Sequence, residues 1–336
     1  MVDQRISEPI DLVYTWVDGA KSSTLQQQNL PSDSQGGENR FRNNNELLQS
    51  IHSFSRFCPF VSRIFIVTAE GQVPHWYRPS SYPNVRIVHH PEIFQEHAHL
   101  LPVFNSHAIE AMLPRIPGLA EQFVYFNDDT FLGRNVKPDD FFDSGKRAVI
   151  RVREKVGPAW QYHRKAWRVY RGNTYRALTA MNPDIAVYDT AHQAKPLLKS
   201  VCLKVWENSE MKELLVQTAS NRFRSLQDIS PIELFSCIML HEGKGVMRKN
   251  SGTCLHLFDR SVLGPEFLAL RLMQPKFYCI NDEMVEPSSA HLRTLRSFLN
   301  SSLPHHLSDS KKPRPLTGAV VKLISHCLSW LHRQTG

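Results

Sequence analysis

The stretch that decides the fold is FVYFNDD, residues 123–129, in which four apolar or aromatic residues lead directly into an asparagine and two aspartates. Short runs of this kind are typical of a strand that is buried on both faces. Neighbouring side chains of an extended chain point to opposite faces, so Asp128 and Asp129 cannot both decorate one exposed face. The stretch therefore predicts a core strand that ends in carboxylates at the edge of a sheet.

The chain around this strand alternates between two patterns. Residues 11–17, 63–69 and 84–90 are further short apolar runs, whereas residues 45–57 and 104–116 place apolar side chains at helical spacing. Such alternation predicts an α/β fold with a mainly parallel sheet flanked by helices. The second half of the chain is less periodic, and we expect it to be more helical.

Three later segments have helical patterns. Residues 191–217 predict a helix or a helix pair after a loop, and residues 231–243 predict an apolar helix that Gly243 ends. Residues 319–334 place apolar side chains on one stripe beside Trp330, after a linker that contains proline and lysine. This last helix is either a peripheral membrane anchor or an element that packs on the domain or on a second copy.

We expect four regions along the chain. They are an N-terminal tail (1–9), a catalytic domain (10–300), a linker (301–318) and the C-terminal amphipathic helix (319–334). The first ten residues have no apolar core of a signal peptide, and no stretch approaches eighteen apolar residues. We therefore predict a cytoplasmic protein, with the inner face of the cell membrane as an alternative location.

The net charge of +8 over 336 residues favours an anionic partner: nucleic acid, phosphorylated sugars or an anionic membrane surface. The six cysteines are scattered without a CxxC pair, so reduced and mostly buried thiols are expected. Cys254 and His256 are interpreted as core residues rather than as metal ligands.

Polar side chains follow each of the four predicted strands. They are Asp18, Thr68, His89 with His90, and Asp128 with Asp129. Ligands of parallel sheets bind beyond the carboxyl ends of the strands, so these residues are expected at one binding edge. Paired carboxylates there suit a divalent cation such as Mg²⁺, although an Asn-Asp-Asp turn without a metal is the alternative.

Four blocks occur in a fixed order along most of the chain. They are residues 11–19, residues 101–133, residues 191–196 with 222–228, and residues 277–283. Together they resemble the Stealth family of sugar-phosphate transferases. The resemblance implies a Rossmann-like or GT-A-like sheet that binds a nucleotide sugar. It also implies transfer of a hexose- or N-acetylhexosamine-1-phosphate to a hydroxyl of a glycan or lipid-linked acceptor, with a nucleoside monophosphate released.

The resemblance also implies the chemical roles of several residues. Asp128, Asp129 and Asp282 are expected to hold Mg²⁺ or Mn²⁺. His192 is the expected general base, an assignment that suits an imidazole near its ordinary pKa. Glu110 matches an active-site glutamate of the family, with a solvated helix carboxylate as the alternative.

The remaining implied residues contact substrate. Arg224 is expected to clamp the diphosphate, and Arg222 is the fallback. The other candidates are Asp18, Arg42, Asn105, Ser106 and Asn127. For Asp18 a simple turn is the alternative, and for Asn105 and Ser106 a helix cap is the alternative. The third block departs from the family pattern at Ala194 and Lys195, which leaves the acceptor contacts open.

Two rival functions follow from the same residues. A glycosyltransferase on a similar sheet would attack the anomeric carbon and release a nucleoside diphosphate instead. A nucleic-acid-binding protein is suggested by the basic, aromatic segment 151–176. Because no helix-turn-helix, zinc-finger or RNA-binding motif is present, no nucleic-acid partner is expected.

Overall fold

The structure is a computed structural model that describes residues 8–19 and 42–301. The predicted C-terminal helix 319–334 and nearly all of the predicted linker lie outside these residues. The elements of the described part are numbered in chain order. Its strands are β1 (Ile10–Thr15), β2 (Val61–Thr68), β3 (Val85–His89), β4 (Gln122–Asn127), β5 (Thr130–Leu132), β6 (Ala148–Lys155), β7 (Tyr188–Thr190), β8 (Lys195–Leu198), β9 (Gly245–Lys249), β10 (Thr253–Leu257) and β11 (Phe277–Asp282).

Nine α-helices join these strands within the described residues. They are α1 (Glu46–Phe57), α2 (His90–Phe94), α3 (Ser106–Met112), α4 (Ala166–Met181), α5 (Lys199–Glu207), α6 (Ser209–Ser220), α7 (Pro231–His241), α8 (Leu263–Met273) and α9 (Ser289–Ser301). Six of the nine follow residue 165, as the prediction of a more helical second half requires. None of the helices in this part of the chain is long and apolar enough to cross a membrane.

The central sheet has the strand order β3-β2-β1-β4-β8. Strand β1 pairs in parallel with β2 and β4, and β2 pairs in parallel with β3. This arrangement confirms the predicted α/β fold with a mainly parallel sheet. Leu12, Val13, Phe123 and Val124 are fully buried, because helices and loops cover both faces of the two central strands.

The segment 191–217 differs from its prediction. A short strand, β8, precedes the predicted helix pair and runs antiparallel to β4, with Leu197 opposite Phe123. A short apolar run does not distinguish strand from helix, and here pairing with β4 decides the outcome. Pro196 is tolerated because β8 is the edge strand of this sheet.

Two three-stranded sheets complete the fold, with the orders β10-β11-β5 and β7-β6-β9. The first sheet carries the Cys254 and His256 pair on its edge strand β10. Cys254 is partly exposed and His256 is exposed, so the interpretation of this pair as core is wrong. An edge strand has a neighbouring strand on one side only, so the side chains of β10 are less covered than those of the central strand β11.

Three arginines of the basic, aromatic segment 151–176 have partners within the protein. Arg153 and Arg171 pair with the buried carboxylate of Asp189 at 2.7 and 2.5 Å. Arg168 lies 4.4 Å from the centre of the Trp160 ring and pairs with Glu154 at 3.2 Å. These three guanidinium groups have acidic or aromatic partners, whereas the segment also holds the exposed Lys155, Arg164, Lys165 and Arg176. Part of its positive charge is therefore neutralised inside the protein.

A glycine in α4 allows the close approach of the preceding 3₁₀ helix, Pro158–Tyr162. A Cβ added at Gly172 would lie 2.2 Å from the backbone nitrogen of Gln161, which is too close for any side chain. We expect Gly172→Ala to lower the free energy of unfolding by about 1–3 kcal/mol, because the backbone itself must move. Gly264 in α8 has open space around the same position, so Gly264→Ala is the matched control.

Urea unfolding of both variants measures the effect. The control is expected to match the parent or to gain up to about 1 kcal/mol from the better helix propensity of alanine. Equal midpoints for Gly172→Ala and Gly264→Ala would contradict the close contact between α4 and the 160–161 backbone.

Candidate active site

The carboxyl ends of the parallel strands lie level at one edge of the central sheet. Thr15 pairs with both Val67 and Asn127, and Thr68 pairs with His89. The loop that follows β1 is tied to the loop that follows β2, because the backbone N–H of Asp18 donates to Gln72 at 3.0 Å. The edge that the sequence predicted is therefore assembled, and Asp18 lies on it, partly exposed.

At this edge Asp129 contacts a histidine from a distant segment. His192 lies in the loop between β7 and β8, and its Nε2 is 3.5 Å from both carboxylate oxygens of Asp129. The side-chain amide of Asn127 lies 3.2 Å from the same nitrogen. All three side chains are partly exposed, so a substrate can reach them.

The contact shifts both pKa values. Burial would raise the pKa of Asp129, but His192 and the Cys279 thiol hold it below its ordinary value. Burial would lower the pKa of His192, but the Asp129 carboxylate raises it above its ordinary value. The pair therefore stabilises an imidazolium next to a carboxylate, the state that forms when a histidine accepts a proton.

Asp128 lies close to two other carboxylates. Its pKa is raised to about 8, first by burial and then by the neighbouring carboxylates of Asp129 and Glu46. Glu46 is the first residue of α1 and accepts from the Asn44 backbone and side chain at 2.6 and 2.8 Å. The sequence did not indicate that Glu46 lies near Asp128. Acidic residues are common at helix starts, where they interact favourably with the helix dipole, so Glu46 needs no further role.

Asp282 reaches the same region from the far end of the chain. Strand β11 runs beside Asp129, whose carbonyl accepts from the Ile280 N–H at 3.0 Å. The Asp282 carboxylate accepts a hydrogen bond from Arg42 at 2.6 Å. Burial is the main cause of the raised pKa of Glu46, and the negative charge of Asp282 raises that pKa further. The Arg42 guanidinium also donates to the carbonyl of Met284 at 3.0 Å.

The donor atoms that lie close together differ from the predicted set. Within the described residues, the group of three potential ligands comprises Asp129, His192 and Cys279, whose donor atoms are all within 4.8 Å of one another. The predicted trio of Asp128, Asp129 and Asp282 lies at the same end of the fold and stays a prediction. Cys279 was missed because a single cysteine in an apolar strand resembles a core residue.

Glu110 lies beneath β4 and is 9% exposed, so the alternative of a solvated helix carboxylate is wrong. Burial raises its pKa, while His107, Arg224 and Lys195 lower it. The Tyr125 hydroxyl donates to it at 3.4 Å. Glu110 is thus a buried acid within the electrostatic reach of an arginine and a lysine.

The start of α3 is joined to the loop that carries Arg224. Arg224 donates to the Ser106 hydroxyl at 2.5 Å. Asn105 is fully buried, caps α3 by accepting from the His107 N–H at 3.0 Å, and donates to Asp228 at 2.9 Å. The structure gives Asn105 the capping role, and a direct contact with substrate would need a rearrangement.

Arg222 is placed differently from Arg224. It is exposed, and its guanidinium lies 5.5 Å from the centre of the Phe104 ring. Its carbonyl accepts from the Phe104 N–H at 2.7 Å, which fixes the loop against the start of α3. Arg222 is therefore held at the surface, whereas Arg224 points toward the buried acid Glu110.

A buried ionic network around Glu233 contacts Thr190 and Lys195, which flank the His192 loop. Glu233 in α7 accepts from Thr190 at 2.6 Å and lies 3.3 Å from Arg171 and 3.5 Å from Lys195. Burial would raise the pKa of Glu233, but Arg171 and Lys195 hold it well below its ordinary range. The acidic Glu233 within an otherwise apolar predicted helix could have indicated this network, because acidic residues are rarely buried without a partner.

Comparisons with known proteins identify relatives of this chain. Residues 40–150 match the family model described as Stealth protein CR2, conserved region 2. The chain is 33% identical over 302 residues to the capsular polysaccharide phosphotransferase LcbA of Neisseria meningitidis, covering 81% of this chain and 77% of that protein. It is 32% identical over 317 residues to the capsular polysaccharide phosphotransferase fcs1 of Haemophilus influenzae, covering 87% and 83%.

More distant similarities follow. The exopolysaccharide phosphotransferase CpsY of Mycobacterium tuberculosis is 31% identical over 313 residues, covering 88% of this chain and 57% of that protein. A solved structure of the galactosyltransferase LgtC with donor and acceptor sugar analogues aligns with a TM-score of 0.44 at 11% identity, covering 90% of this chain and 98% of that one. A score this low does not establish a shared fold. The identity of 32–33% to the two capsular enzymes extends over most of this chain and most of each of those proteins, and it establishes homology. The chain belongs to the Stealth family.

Proposed function

We propose that this chain transfers a hexose- or N-acetylhexosamine-1-phosphate from a nucleotide sugar, with a UDP sugar as the first choice, to a hydroxyl of a glycan acceptor. The product is a phosphodiester in a capsular or other surface polysaccharide. The observation that carries the proposal is the meeting of Asp129, Asn127 and His192 at the carboxyl edge of the sheet. The names of the capsular relatives support the same reaction class.

The bonds of the proposed reaction are as follows. An acceptor hydroxyl oxygen attacks the β-phosphorus of the donor and forms the new P–O bond. The bond from that phosphorus to the bridging oxygen breaks, and the nucleoside monophosphate leaves with the oxygen. The anomeric C–O bond is retained, and the hydroxyl proton passes to a base. Positioning and charge neutralisation are the main requirements of such a reaction.

His192 is the proposed base. His192 is partly exposed at the edge, and its Nε2 lies 3.5 Å from the Asp129 carboxylate. That carboxylate stabilises the imidazolium that forms when His192 accepts the acceptor proton. Asn127, 3.2 Å from the same ring nitrogen, helps to hold the ring in place. The loop of His192 follows Thr190, which the buried network around Glu233 anchors.

Mg²⁺ or Mn²⁺ is the proposed cofactor. The residues fit a hard cation, since Asp128 and Asp129 are adjacent carboxylates at the edge and Glu46 adds further negative charge. Asp282 is the proposed third carboxylate, contributed by the end of β11. When bound, the cation neutralises phosphate charge on the donor. Removal of the metal by a chelator is expected to stop turnover.

Arg224 is the proposed diphosphate clamp, because a guanidinium matches phosphate geometry with paired N–H donors. Ser106 accepts from it at 2.5 Å, which orients the side chain, and Glu110 lies close enough to interact electrostatically. Arg42, held by Asp282, and the partly exposed Asp18 are proposed to contact the nucleotide sugar. The reaction is proposed to occur in the cytoplasm, at or near the inner face of the cell membrane if the acceptor is lipid-linked.

The released nucleotide tests the proposal against a glycosyltransferase. The full chain is incubated with a capsular oligosaccharide acceptor, Mg²⁺ or Mn²⁺, and a panel of nucleotide sugars that includes UDP-N-acetylglucosamine labelled at the β-phosphorus. Phosphotransfer is expected to release UMP and to place the label in the polymer. A glycosyltransferase would instead release labelled UDP and leave the polymer unlabelled, an outcome that would refute the proposal.

A further inference from the structure

Three donor atoms of different chemistry converge on one point beside the central sheet. Asp129 follows β4, His192 lies between β7 and β8, and Cys279 lies on β11. The Cys279 thiol donates to Asp129 Oδ2 at 3.1 Å, and His192 Nε2 lies 3.5 Å from the same carboxylate oxygens. These donor atoms are within 4.8 Å of one another. Small side-chain movements would bring all three onto a single ion.

The composition of this group differs from that of a magnesium site. Mg²⁺ takes oxygen ligands in octahedral geometry, whereas thiolate and imidazole favour Zn²⁺ and other borderline metals. In a tetrahedral site with bonds of about 2.0–2.3 Å, neighbouring ligand atoms lie about 3.3–3.8 Å apart. The two separations to Asp129, 3.1 and 3.5 Å, need to change by only a few tenths of an ångström, and the His192 and Cys279 donor atoms, which lie within 4.8 Å of each other, need to approach by at most about 1–1.5 Å.

The backbone holds the cysteine in place. Cys279 pairs with Thr130 across the β5–β11 ladder, and the next residue, Ile280, donates its N–H to the Asp129 carbonyl at 3.0 Å. The strand that carries the sulfur is therefore hydrogen-bonded to the segment that carries the carboxylate. A ligand set with this support loses little conformational freedom when it binds an ion.

We propose that Asp129, His192 and Cys279 form a binding site for Zn²⁺, with an open fourth position for water, and that Zn²⁺ bound there inhibits the enzyme. The metal displaces the thiol proton of Cys279 and releases it to solvent. Zinc at this position takes the Asp129 carboxylate and the His192 nitrogen out of the transfer reaction. The inhibition rests on the proposed function, whereas the binding of the metal does not.

Cobalt is the spectroscopic probe for this site. The purified full chain, freed of metal and kept reduced, is titrated with Co²⁺ alone, without any nucleotide sugar. We expect one equivalent to produce the intense visible bands of tetrahedral cobalt and a near-ultraviolet thiolate-to-cobalt charge-transfer band. Zn²⁺ is expected to displace the cobalt and to remove both signals.

Paired cysteine variants identify the sulfur. In Cys279→Ser the charge-transfer band is expected to disappear, and Zn²⁺ affinity is expected to fall by at least ~10-fold. Cys202 is a buried free thiol on α5 and lies outside the group of three. Cys202→Ser is therefore the matched control, and it is expected to keep the band. Unfolding midpoints of both variants establish that they are folded.

The outcomes separate the two proposals. Absence of stoichiometric Co²⁺ binding by the wild-type chain, or a charge-transfer band that survives in Cys279→Ser, would overturn the zinc site. Where transfer is measured with Mg²⁺, added Zn²⁺ is expected to inhibit wild type and to act at least ~10-fold more weakly on Cys279→Ser. A chain that binds Co²⁺ through Cys279 yet transfers no sugar phosphate would refute the proposed function and leave the metal site standing.

Discussion

Turnover is expected to fall by roughly 10³-fold or more when Asp129 is replaced by asparagine, while the protein remains folded. Asparagine keeps the size of the side chain and removes the charge. The variant then lacks the carboxylate that stabilises a protonated His192 at 3.5 Å, and one of the proposed ligands of the hard cation. The initial rate of nucleoside monophosphate release measures the effect.

The fold is expected to tolerate Asp129→Asn because two electrostatic effects oppose each other. The folded-state pKa of Asp129 is depressed, so its ionised form contributes stability above its unfolded pKa, and the variant loses that contribution. The variant also removes a negative charge that raises the pKa of Asp128. Unfolding midpoints compare the variant with wild type.

Asp139→Asn is the matched control, because Asp139 is an exposed aspartate on the surface. Its turnover is expected to equal that of wild type. Retention of wild-type turnover by Asp129→Asn would remove the carboxylate from the mechanism. Loss of activity in both variants would show that the substitution acts through something other than the site.

The second large effect is expected at the proposed base. His192→Ala is expected to lower turnover by about 10²–10⁴-fold, the range that general acid–base catalysis supplies. His192 is partly exposed, so its truncation leaves a space at the edge rather than a cavity in the core. The exposed His75 provides the control variant, His75→Ala, which is expected to leave turnover unchanged.

Chemical rescue separates a base from a residue that only positions others. Added imidazole is expected to restore part of the turnover of His192→Ala and to have no effect on Asp129→Asn. His192→Gln, which keeps a polar side chain without a base of suitable pKa, is expected to be as inactive as the alanine variant. Wild-type turnover in His192→Gln would refute the assignment of His192 as the base.

Prediction from the sequence succeeded where the relevant interactions are local. The strands at 123–127 and 63–68 follow from short apolar runs, and α1 follows from apolar residues at helical spacing. The position of Asp128 and Asp129 at an edge follows from the rule that parallel strands present ligands at their carboxyl ends. A cap at Asn105 or Ser106 was the sequence's alternative to substrate contact, and the structure shows that Asn105 caps α3, a contact between residues only two positions apart.

The parts that were missed depend on contacts between distant segments. Arg42 and Asp282 are 240 positions apart, and no local pattern indicates that each takes the other as its partner. Cys279 and Glu46 had the ordinary appearance of a core thiol and a helix-start acid. Their nearness to Asp129 and Asp128 became visible only when β11 and α1 were packed against the central sheet.

The sequence alone determined the type and order of the main elements, because near neighbours along the chain set the periodicity that selects helix or strand. It also determined that acidic residues end a buried strand, and the order of its blocks pointed to the family. Tertiary structure decided which side chains from those blocks meet. Those meetings depend on strand order and register, which place His192 and Cys279 beside the Asp129 carboxylate across gaps that no local periodicity spans.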